Sequence, residues 1–378
     1  KGWHGMENQE KMAASMLHRM VREFTENELA PLDMEIDAQG DYPQGLFQKV
    51  IDNGLLTMTL PREYGGAGIS YDSVAKAIHL MAIGNASMAV TLEGHFKTLE
   101  QLLKYGDQRL KDEYLTSAAH RIFAFSQTES SGGSNPHGIA TRAVKSGDDW
   151  IITGDKIMIT NGGLAQVYCV LAKTEDDQMA VFVVDQDMPG FSFGKREDFI
   201  GLRGTPVGEI VMDHIKVPGY HLLGQIGQGL EIGNNAHDDA RILMGAVLTG
   251  IMEHELQIAV DYSKQRKALD TPLYELQTIQ EKISEIAIAR QNTELLYQHA
   301  AQLKITGQSY AKVAAMAKSY GSRSAVRCGD MALQVLAGYG YSREYPIEHL
   351  IRDARAMEIA EGTVERMSGE IALKQVNQ

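Results

Sequence analysis

Apolar residues in the first third of the chain recur at the three- and four-residue spacing of amphipathic helices. The pattern runs from residue 7 to about residue 117 and is clearest over 12–20, 47–56 and 74–83. A glycine-rich run at 61–68 interrupts it, because adjacent glycines disfavour helix and suit a turn. The pattern predicts an N-terminal helical domain over residues 6–120.

Short β-rich runs replace the helical pattern between residues 121 and 233. They occur at 150–153, 168–172 and 179–184, and turn-forming residues at 147–149 and 187–190 separate them. Helical periodicity returns near residue 234 and continues through 236–264, 276–303, 310–336 and a final short helix. The sequence therefore predicts an α+β multidomain fold, with a middle β domain over 121–233 and a C-terminal helical bundle over 234–378.

Composition limits the classes of function. The 378 residues are 44% hydrophobic and 22% charged, which is enough for a large core in two or three domains. The formal net charge of −13 disfavours binding to nucleic acids or anionic membranes, since both require a basic surface. Without an apolar run of about 18 residues or a signal-peptide pattern, we expect no membrane insertion and a cytoplasmic location. Residues 1–5 are expected to be an addition ahead of a natural start at Met6.

Cysteine usage points away from disulfides and metals. Only Cys169 and Cys328 are present, which provides neither a disulfide framework nor the spacing of a zinc site. No metal site is predicted. Redox chemistry would therefore need a bound cofactor.

A carboxylate with catalytic potential lies in the run AEGT at 360–363. Thr363 can cap a following helix and Gly362 permits a tight turn before it, so Glu361 is expected at a corner between two helices. Its neighbours in the sequence are mostly nonpolar, and burial among them would raise the pKa of Glu361 toward values useful to a general base. An exposed carboxylate at a helix start is the alternative.

Three further segments could bind a ligand or serve as ordinary turns. The run FSQTESSGGS at 125–134 offers backbone N–H groups and hydroxyls that can line a diphosphate or a heterocycle, although it could equally be a linker. The run MITNGG at 158–163 carries an Asn-Gly hairpin signal. The run QVLAGYGY at 334–341 ends a helix on glycines, which is typical of a C-cap and is not a dinucleotide-binding fingerprint.

Taken together and in this order, the segments resemble the acyl-CoA dehydrogenase family across essentially the whole chain. The signatures are LPREYGGAG in the first domain, TESSGGS and MITNGG in the second, RGT and KVP before the third, and then QVLAGYGY, RDAR and AEGT. The resemblance implies an N-terminal helical domain, a middle β-barrel or sandwich domain and a C-terminal four-helix bundle. It also implies a homotetramer or homodimer with one FAD per subunit, an acyl-CoA substrate, fatty acid β-oxidation and an electron-transferring flavoprotein as partner.

The resemblance also implies roles for single residues. Glu361 matches the base that takes the α-proton while flavin N5 accepts the β-hydride, giving a trans-2-enoyl-CoA. In part of the family the base lies on an earlier helix, where this chain has Ala240 before Arg241, so Glu361 is the one candidate. The implied flavin contacts are Phe125, Thr128, Ser134, Met158, Thr160, Thr363 and Glu365, and the substrate contacts are Ser134, Asp238, Arg241 and Gly362. Arg266, Gln277, Gln334 and Gly338 match positions that hold the FAD adenylate and diphosphate, the last three from a neighbouring subunit.

The chain departs from the family pattern near the flavin. Asn135 stands where the family usually has aspartate, Met158 where an aromatic residue is common, and Leu269-Asp270 where Phe-Gly is usual. These changes leave the base intact but bear on FAD affinity and flavin potential. In the acyl pocket, Ala360 and Glu93 are compatible with a short, medium or branched acyl group, and the absence of a guanidinium disfavours a dicarboxylic one.

Other activities of the same scaffold stay open at this point. An enoyl-CoA reductase would use the same residues in reverse, so the sequence does not set the direction. An acyl-CoA oxidase is usually a longer chain, and a nitroalkane oxidase would typically carry aspartate in place of Glu361. A flavin monooxygenase of this fold would not need the base. A non-catalytic binding member of the fold comes from a different class, and the acidic charge and Glu361 argue against it.

Overall fold

The computed structural model describes residues 2–377, and their side chains from residue 10 onward. Its first part is helical. All residues of its central helix are buried from 86 to 99, so this helix forms the middle of the domain core. The helices are α1 (Gly2–Phe24), α2 (Asp33–Gln39), α3 (Leu46–Asp52), α4 (Tyr71–Gly84), α5 (Ala86–Tyr105) and α6 (Gln108–Leu110), and α5 is the central one.

Asn85 fixes the start of α5. Its side-chain oxygen accepts a hydrogen bond from the Met88 N–H at 2.8 Å, and its amide group donates to Asp33 Oδ1 at 2.9 Å. The cap satisfies an N–H group that the helix itself leaves unpaired. It also ties the start of α5 to the start of α2.

A single mixed sheet follows the helical part. Its strands are β1 (Phe123–Ser126), β2 (Arg142–Ser146), β3 (Asp149–Thr160), β4 (Val167–Lys173), β5 (Met179–Asp185), β6 (Phe191–Arg196), β7 (Val207–Val217) and β8 (Leu222–Leu223). The eight strands are ordered β6-β7-β3-β2-β4-β5-β8, with β1 paired in parallel to β4. Because β4 and β5 are buried at nearly every position, they form the core of this domain.

The last part of the chain is a helical bundle. It consists of α7 (Gly229–Gln265), a small hairpin of β9 (Lys267–Ala268) and β10 (Thr271–Pro272), and then α8 (Gln277–Ile305), α9 (Ala311–Leu336), α10 (Ile347–Ala356) and α11 (Val364–Val376). Glycines let α7 approach its neighbours closely. A Cβ at Gly245 would lie 2.9 Å from Tyr297 Cβ, and one at Gly250 would lie 2.5 Å from the His79 carbonyl oxygen. The 37-residue α7 therefore packs against both the bundle and the first domain.

The order of helical, β and helical parts confirms the predicted fold class. The last segment forms two helices, α10 and α11, and Glu361 lies at the corner between them, as expected from Gly362 and Thr363. One local prediction is wrong. The Asn-Gly hairpin is absent, because β3 pairs with β2 and β7 and not with β4, which follows the turn. Asn161 instead uses its amide to donate to the Thr91 carbonyl oxygen at 2.9 Å, so the turn docks onto α5.

None of the described helices combines the length and the apolar character needed to cross a membrane.

Candidate active site

Glu361 lies at the corner between α10 and α11. The corner is formed by two consecutive residues in the left-handed region, Glu361 at φ 54° and Gly362 at φ 95°. Thr363 then caps α11, since its hydroxyl accepts a hydrogen bond from the Arg366 N–H at 3.3 Å. Left-handed backbone is unfavourable for a residue with a side chain, and such strain is concentrated at functional sites.

Two basic side chains contact the Glu361 carboxylate. The Lys97 ammonium on α5 donates to Glu361 Oε1, and His237 Nδ1 on α7 lies 2.6 Å from Glu361 Oε2. The carboxylate is 9% exposed, so these contacts are shielded from water. The prediction that Glu361 has few polar neighbours is therefore wrong, because both contacts come from helices that are distant in the sequence.

These contacts reverse the expected acidity of Glu361. Burial alone would raise its pKa, but the charges and hydrogen bonds of Lys97 and His237 lower the pKa well below the usual range for glutamate. Burial would likewise lower the pKa of Lys97, yet Glu361 and Glu93 raise it to about 12. The carboxylate is therefore ionised and the lysine charged at neutral pH.

Glu93 is a second buried carboxyl group beside the site. It lies one turn before Lys97 on α5, is 1% exposed, and has its Oε1 atom 3.6 Å from Lys97 Nζ. Neither of its oxygens has a hydrogen-bond partner among the described residues. Burial raises the pKa of Glu93 to about 8, which keeps much of it neutral at pH 7. A neutral carboxyl group is a poor base, so Glu361 stays the candidate.

Two cations hold the backbone of the corner. Arg241 on α7 donates from Nε to the Glu361 carbonyl oxygen at 3.2 Å, and the fully buried Lys318 on α9 donates to the Gly362 carbonyl oxygen. Burial lowers the pKa of Lys318 to about 8. The Glu361 N–H has no acceptor among the described residues, so it is available to a ligand.

The residues expected to face the flavin lie where the sheet meets α5 and α11. Ile157 N donates to the Thr128 carbonyl oxygen at 2.9 Å, which joins the loop after β1 to β3. A Cβ at Gly94 would lie 3.0 Å from Thr160 Cγ2, so Thr160 packs on α5 one residue from Glu93. Arg366 Nη1 donates to the Ser134 carbonyl oxygen at 3.1 Å, which links the same loop to α11.

Met158 stands out at this junction. It lies at a bulge in the pairing of β3 with β7, has φ 56°, and is 47% exposed. A bulge re-aims a side chain and is typical of sheet rims next to active sites. The nearby Phe125 is buried, whereas Glu365 on α11 is exposed.

Glu129 gives the loop at 125–134 its shape. Its carboxylate accepts hydrogen bonds from Ala140 N at 2.5 Å, from Thr141 Oγ1 at 2.6 Å and from Lys156 Nζ at 2.6 Å. The residues that follow, Ser130, Ser131, Gly133 and Ser134, are exposed or nearly so, apart from the buried Gly132. Because an internal ion pair fixes the loop, a flexible linker is excluded.

Asp238 and Arg241 line a cleft of about 510 Å³ between α7 and α11. Arg241 Nη1 donates to Asp238 Oδ1 at 2.7 Å and to Glu370 at 3.3 Å, and Arg366 and Lys374 also line the cleft. Gly362 packs closely against Met367 and Arg241, since a Cβ there would lie 2.7 Å from Met367 Cε and 3.4 Å from Arg241 Nη2. Ala240 is fully buried beside Arg241, so this position offers no base.

The residues expected at the FAD adenylate lie at the other end of α7. Arg266 caps that end, and its carbonyl oxygen accepts a hydrogen bond from Leu273 N, which lies just before Gln277 at the start of α8. The rings of Tyr262 and Tyr339, the latter next to Gly338, have their centroids 6.3 Å apart. Gln334, Gly338, Arg266 and Gln277 are all exposed. At about 1.5 Å per residue, α7 spans about 37 Å from Arg241 to Arg266. One chain therefore does not bring these four residues to Glu361.

The departures from the family pattern also have local structures. Asn135 Oδ1 accepts from His137 N at 3.1 Å and so caps a short turn. Leu269 and Asp270 both adopt positive φ at the tip of the β9–β10 hairpin, with Leu269 fully exposed.

The residues near the sheet fit a flavin. The hydroxyl of Ser126, fully buried at the end of β1, has no hydrogen-bond partner among the described residues. A buried hydroxyl without a partner is costly, so a ligand that supplies one is favoured at this position. Thr128, Ser134 and Thr160 would hold the flavin ring system, together with the exposed loop at 130–134 and Met158.

Sequence reasoning missed Lys97, His237 and Lys318. A signal for the first was present, because Glu93 and Lys97 form a charged pair four residues apart inside an otherwise mostly apolar helical stretch. The other two gave no local signal, since their roles depend on contacts with the α10–α11 corner.

Comparison with known proteins agrees with this geometry. Residues 12–121, 124–215 and 227–375 match the family models for the acyl-CoA dehydrogenase N-terminal, middle and C-terminal domains. An acyl-CoA dehydrogenase of Bacillus subtilis is 36% identical over 93% of this chain and 94% of its own length. Butyryl-CoA dehydrogenase from Megasphaera elsdenii has a TM-score of 0.93 at 31% identity, covering 96% of this chain and 98% of that one. Glutaryl-CoA dehydrogenase from Mycobacterium smegmatis, solved with FADH2, has a TM-score of 0.91 at 27% identity and covers 97% and 95%.

The fold and the site thus define a flavoprotein oxidoreductase, with FAD as its cofactor. The chain belongs to the acyl-CoA dehydrogenase family.

Proposed function

We propose that this chain catalyses FAD-dependent α,β-dehydrogenation of a short acyl-CoA thioester, with Glu361 as the base that takes the α-proton. The observation that carries the proposal is the buried carboxylate of Glu361 on a strained corner, beside an N–H group free to bind a ligand. The similarity to butyryl-CoA dehydrogenase supports a short acyl group.

The chemistry follows from what these groups can do. The α-proton of a thioester is a weak acid, so its removal requires stabilisation of the carbonyl oxygen as negative charge develops. The free Glu361 N–H can donate to that oxygen while a Glu361 carboxylate oxygen takes the proton. Bound FAD would supply the acceptor for the hydride that leaves Cβ. Burial of the carboxylate excludes water from the reacting atoms.

The cleft beside Arg241 would take the CoA arm. It is lined by Arg241, Arg366 and Lys374, which can face an anionic ligand, and by Asp238, which can accept hydrogen bonds. Arg241 thereby joins the substrate arm to the Glu361 backbone.

We further propose that Arg266, Gln277, Gln334 and Gly338 serve the FAD of a neighbouring subunit. The span of about 37 Å along α7 separates them from Glu361 of their own chain. This changes the expected role of Arg266, which had been placed in the same subunit as its flavin. An electron-transferring flavoprotein is the proposed acceptor of the electrons.

The test is the visible spectrum of the purified protein before and after anaerobic addition of butyryl-CoA. We expect a yellow protein whose flavin absorbance bleaches with butyryl-CoA or with another short acyl-CoA of a panel. Coenzyme A alone has no acyl α- or β-hydrogen and should leave the absorbance unchanged. A protein that stays colourless after added FAD, or one that no acyl-CoA bleaches, would contradict the proposal.

A further inference from the structure

Lys97 places a buried ammonium group beside the proposed base. The residue is 5% exposed, donates to Glu361 Oε1, and lies in the middle of α5, where every residue from 86 to 99 is buried. A buried charge is costly unless an opposite charge is paired with it. The identity of the partner charge therefore matters for the chemistry of the pocket.

Glu93 is a poor counter-ion for Lys97. Its closest oxygen is 3.6 Å from Lys97 Nζ, and neither oxygen has a hydrogen-bond partner among the described residues. Because burial favours its neutral form, Glu93 is mostly uncharged at neutral pH. Glu361 is then the main counter-ion of Lys97 in the free pocket.

This pairing opposes the role of Glu361 as a base. A carboxylate bonded to an ammonium group binds a proton less readily than an unpaired one. A hydrocarbon acyl chain would leave the pair intact, since it offers no charge to Lys97. An anionic group on the acyl chain would compete with Glu361 for Lys97.

A buried polar network follows Lys97 along α5. One turn further along α5, Gln101 Nε2 donates to Asp239 Oδ2 at 3.0 Å, and Lys304 Nζ donates to Asp239 Oδ1 at 2.6 Å. Gln101 and Asp239 are buried, so their network closes this end. We therefore place the end of a short acyl group at Lys97, before this network.

We propose that the acyl group carries a carboxylate on Cβ or on the next carbon, and that this carboxylate binds Lys97 and releases Glu361 to act as the base. The inference rests on the proposed function. The earlier expectation against a dicarboxylic acyl group considered only a guanidinium, and the fold supplies an ammonium group instead. The unpartnered oxygens of Glu93 can complete the site, since its neutral form donates a hydrogen bond to the same carboxylate.

The first experiment compares substrate pairs of equal carbon number on the wild-type, FAD-loaded protein. Glutaryl-CoA is paired with pentanoyl-CoA, and succinyl-CoA with butyryl-CoA, and the anaerobic rate of flavin bleaching is measured for each. We expect one carboxylated member to react about ten- to a hundredfold faster than its partner, as a charge-assisted hydrogen bond commonly provides.

The second experiment tests whether Lys97 recognises the carboxylate of the substrate. Lys97→Met should remove the preference, because the carboxylated substrate loses its partner and the two substrates then react at similar rates. Lys104→Met is the matched control, since Lys104 lies on the same helix but is exposed. That variant should keep the wild-type preference.

A third experiment measures substrate binding in the absence of turnover. In the Glu361→Gln background, glutaryl-CoA should bind about tenfold or more tightly than pentanoyl-CoA by calorimetry, and adding Lys97→Met should remove the difference.

The outcomes separate the two proposals. If no acyl-CoA bleaches the flavin and none binds, the proposed function fails. If the hydrocarbon substrates bleach the wild-type flavin as fast as the carboxylated ones, dehydrogenation stands and the role given to Lys97 is overturned. This comparison uses only the wild-type protein, so it tests the role of Lys97 even if Lys97→Met does not fold.

Discussion

At the level of single residues, the acid–base behaviour of the pocket depends on Glu93, Lys97 and Glu361. The sequence identified Glu361 and its corner, because glycine and a capping threonine after a glutamate are local signals. It gave the wrong direction for the pKa of Glu361, because Lys97 and His237 reach it from α5 and α7. Charge pairing across helices is a property of packing that local sequence does not contain.

Glu93 gives a pH-dependent prediction for stability. In the folded protein its pKa is raised to about 8 from an ordinary value of 4.5, so the folded state keeps a proton that the unfolded chain releases between these values. The stability contribution is full below pH 4.5 and is lost as the pH rises toward 8. Glu93→Gln should avoid this loss, gaining up to about 1.4 kcal/mol per pH unit relative to wild type in this window.

Thermal unfolding of both proteins between pH 5 and pH 8 measures this effect. The difference in Tm, variant minus wild type, should become more positive as the pH rises. Glu35→Gln, at an exposed position of α2, is the control and should show no such trend. Parallel pH profiles for wild type and Glu93→Gln would refute the assigned state of Glu93.

At the level of elements, α5 carries Glu93 and Lys97 and positions them against α7 and the corner after α10. The spacing of hydrophobic residues predicted both the helices of this region and the strands of the middle domain. The corner between α10 and α11 was also predicted, from Gly362 and the capping Thr363. The hairpin predicted after β3 is absent, because long-range pairing with β2 and β7 outweighs the local turn signal.

The cap at Asn85 gives a prediction for α5. Asn85→Ala removes the acceptor for Met88 N and the donor to Asp33, both of them buried, and should lower the free energy of unfolding by about 1–3 kcal/mol. Denaturant unfolding followed by circular dichroism measures the loss.

Ser70→Ala is the matched control. Ser70 occupies the cap position of α4, but its side chain makes no capping hydrogen bond there. Its effect should stay within about 0.5 kcal/mol. Equal losses for the two variants would show that the cap at Asn85 is not specifically stabilising.

At the level of the whole molecule, the residues proposed to bind FAD form two groups, one around the sheet and the Glu361 corner and one at the C-terminal end of α7. The family resemblance predicted the set of residues, but only the helix length shows that Arg266 belongs with the distant group. A complete site would then combine Glu361 of one chain with Arg266 of another.

Subunit complementation tests this arrangement. Glu361→Gln and Arg266→Ala chains, each expected to be weakly active alone, are co-expressed with different tags and purified as mixed oligomers. If sites are shared between chains, each mixed dimer regains up to one intact site of its two, or about half of the wild-type activity. As a control, a chain carrying both changes is paired with Glu361→Gln, and this pair should regain no activity. If the first pair also regains no activity, Glu361 and Arg266 belong to the site of one subunit.

The most direct test of the central claim is the anaerobic rate of flavin bleaching by an acyl-CoA in Glu361→Gln. The account predicts that the variant still binds FAD and acyl-CoA but bleaches at least about 10²–10⁴-fold more slowly than wild type, because a positioned base contributes that much. Bleaching at the wild-type rate would contradict the assignment of Glu361 as the base.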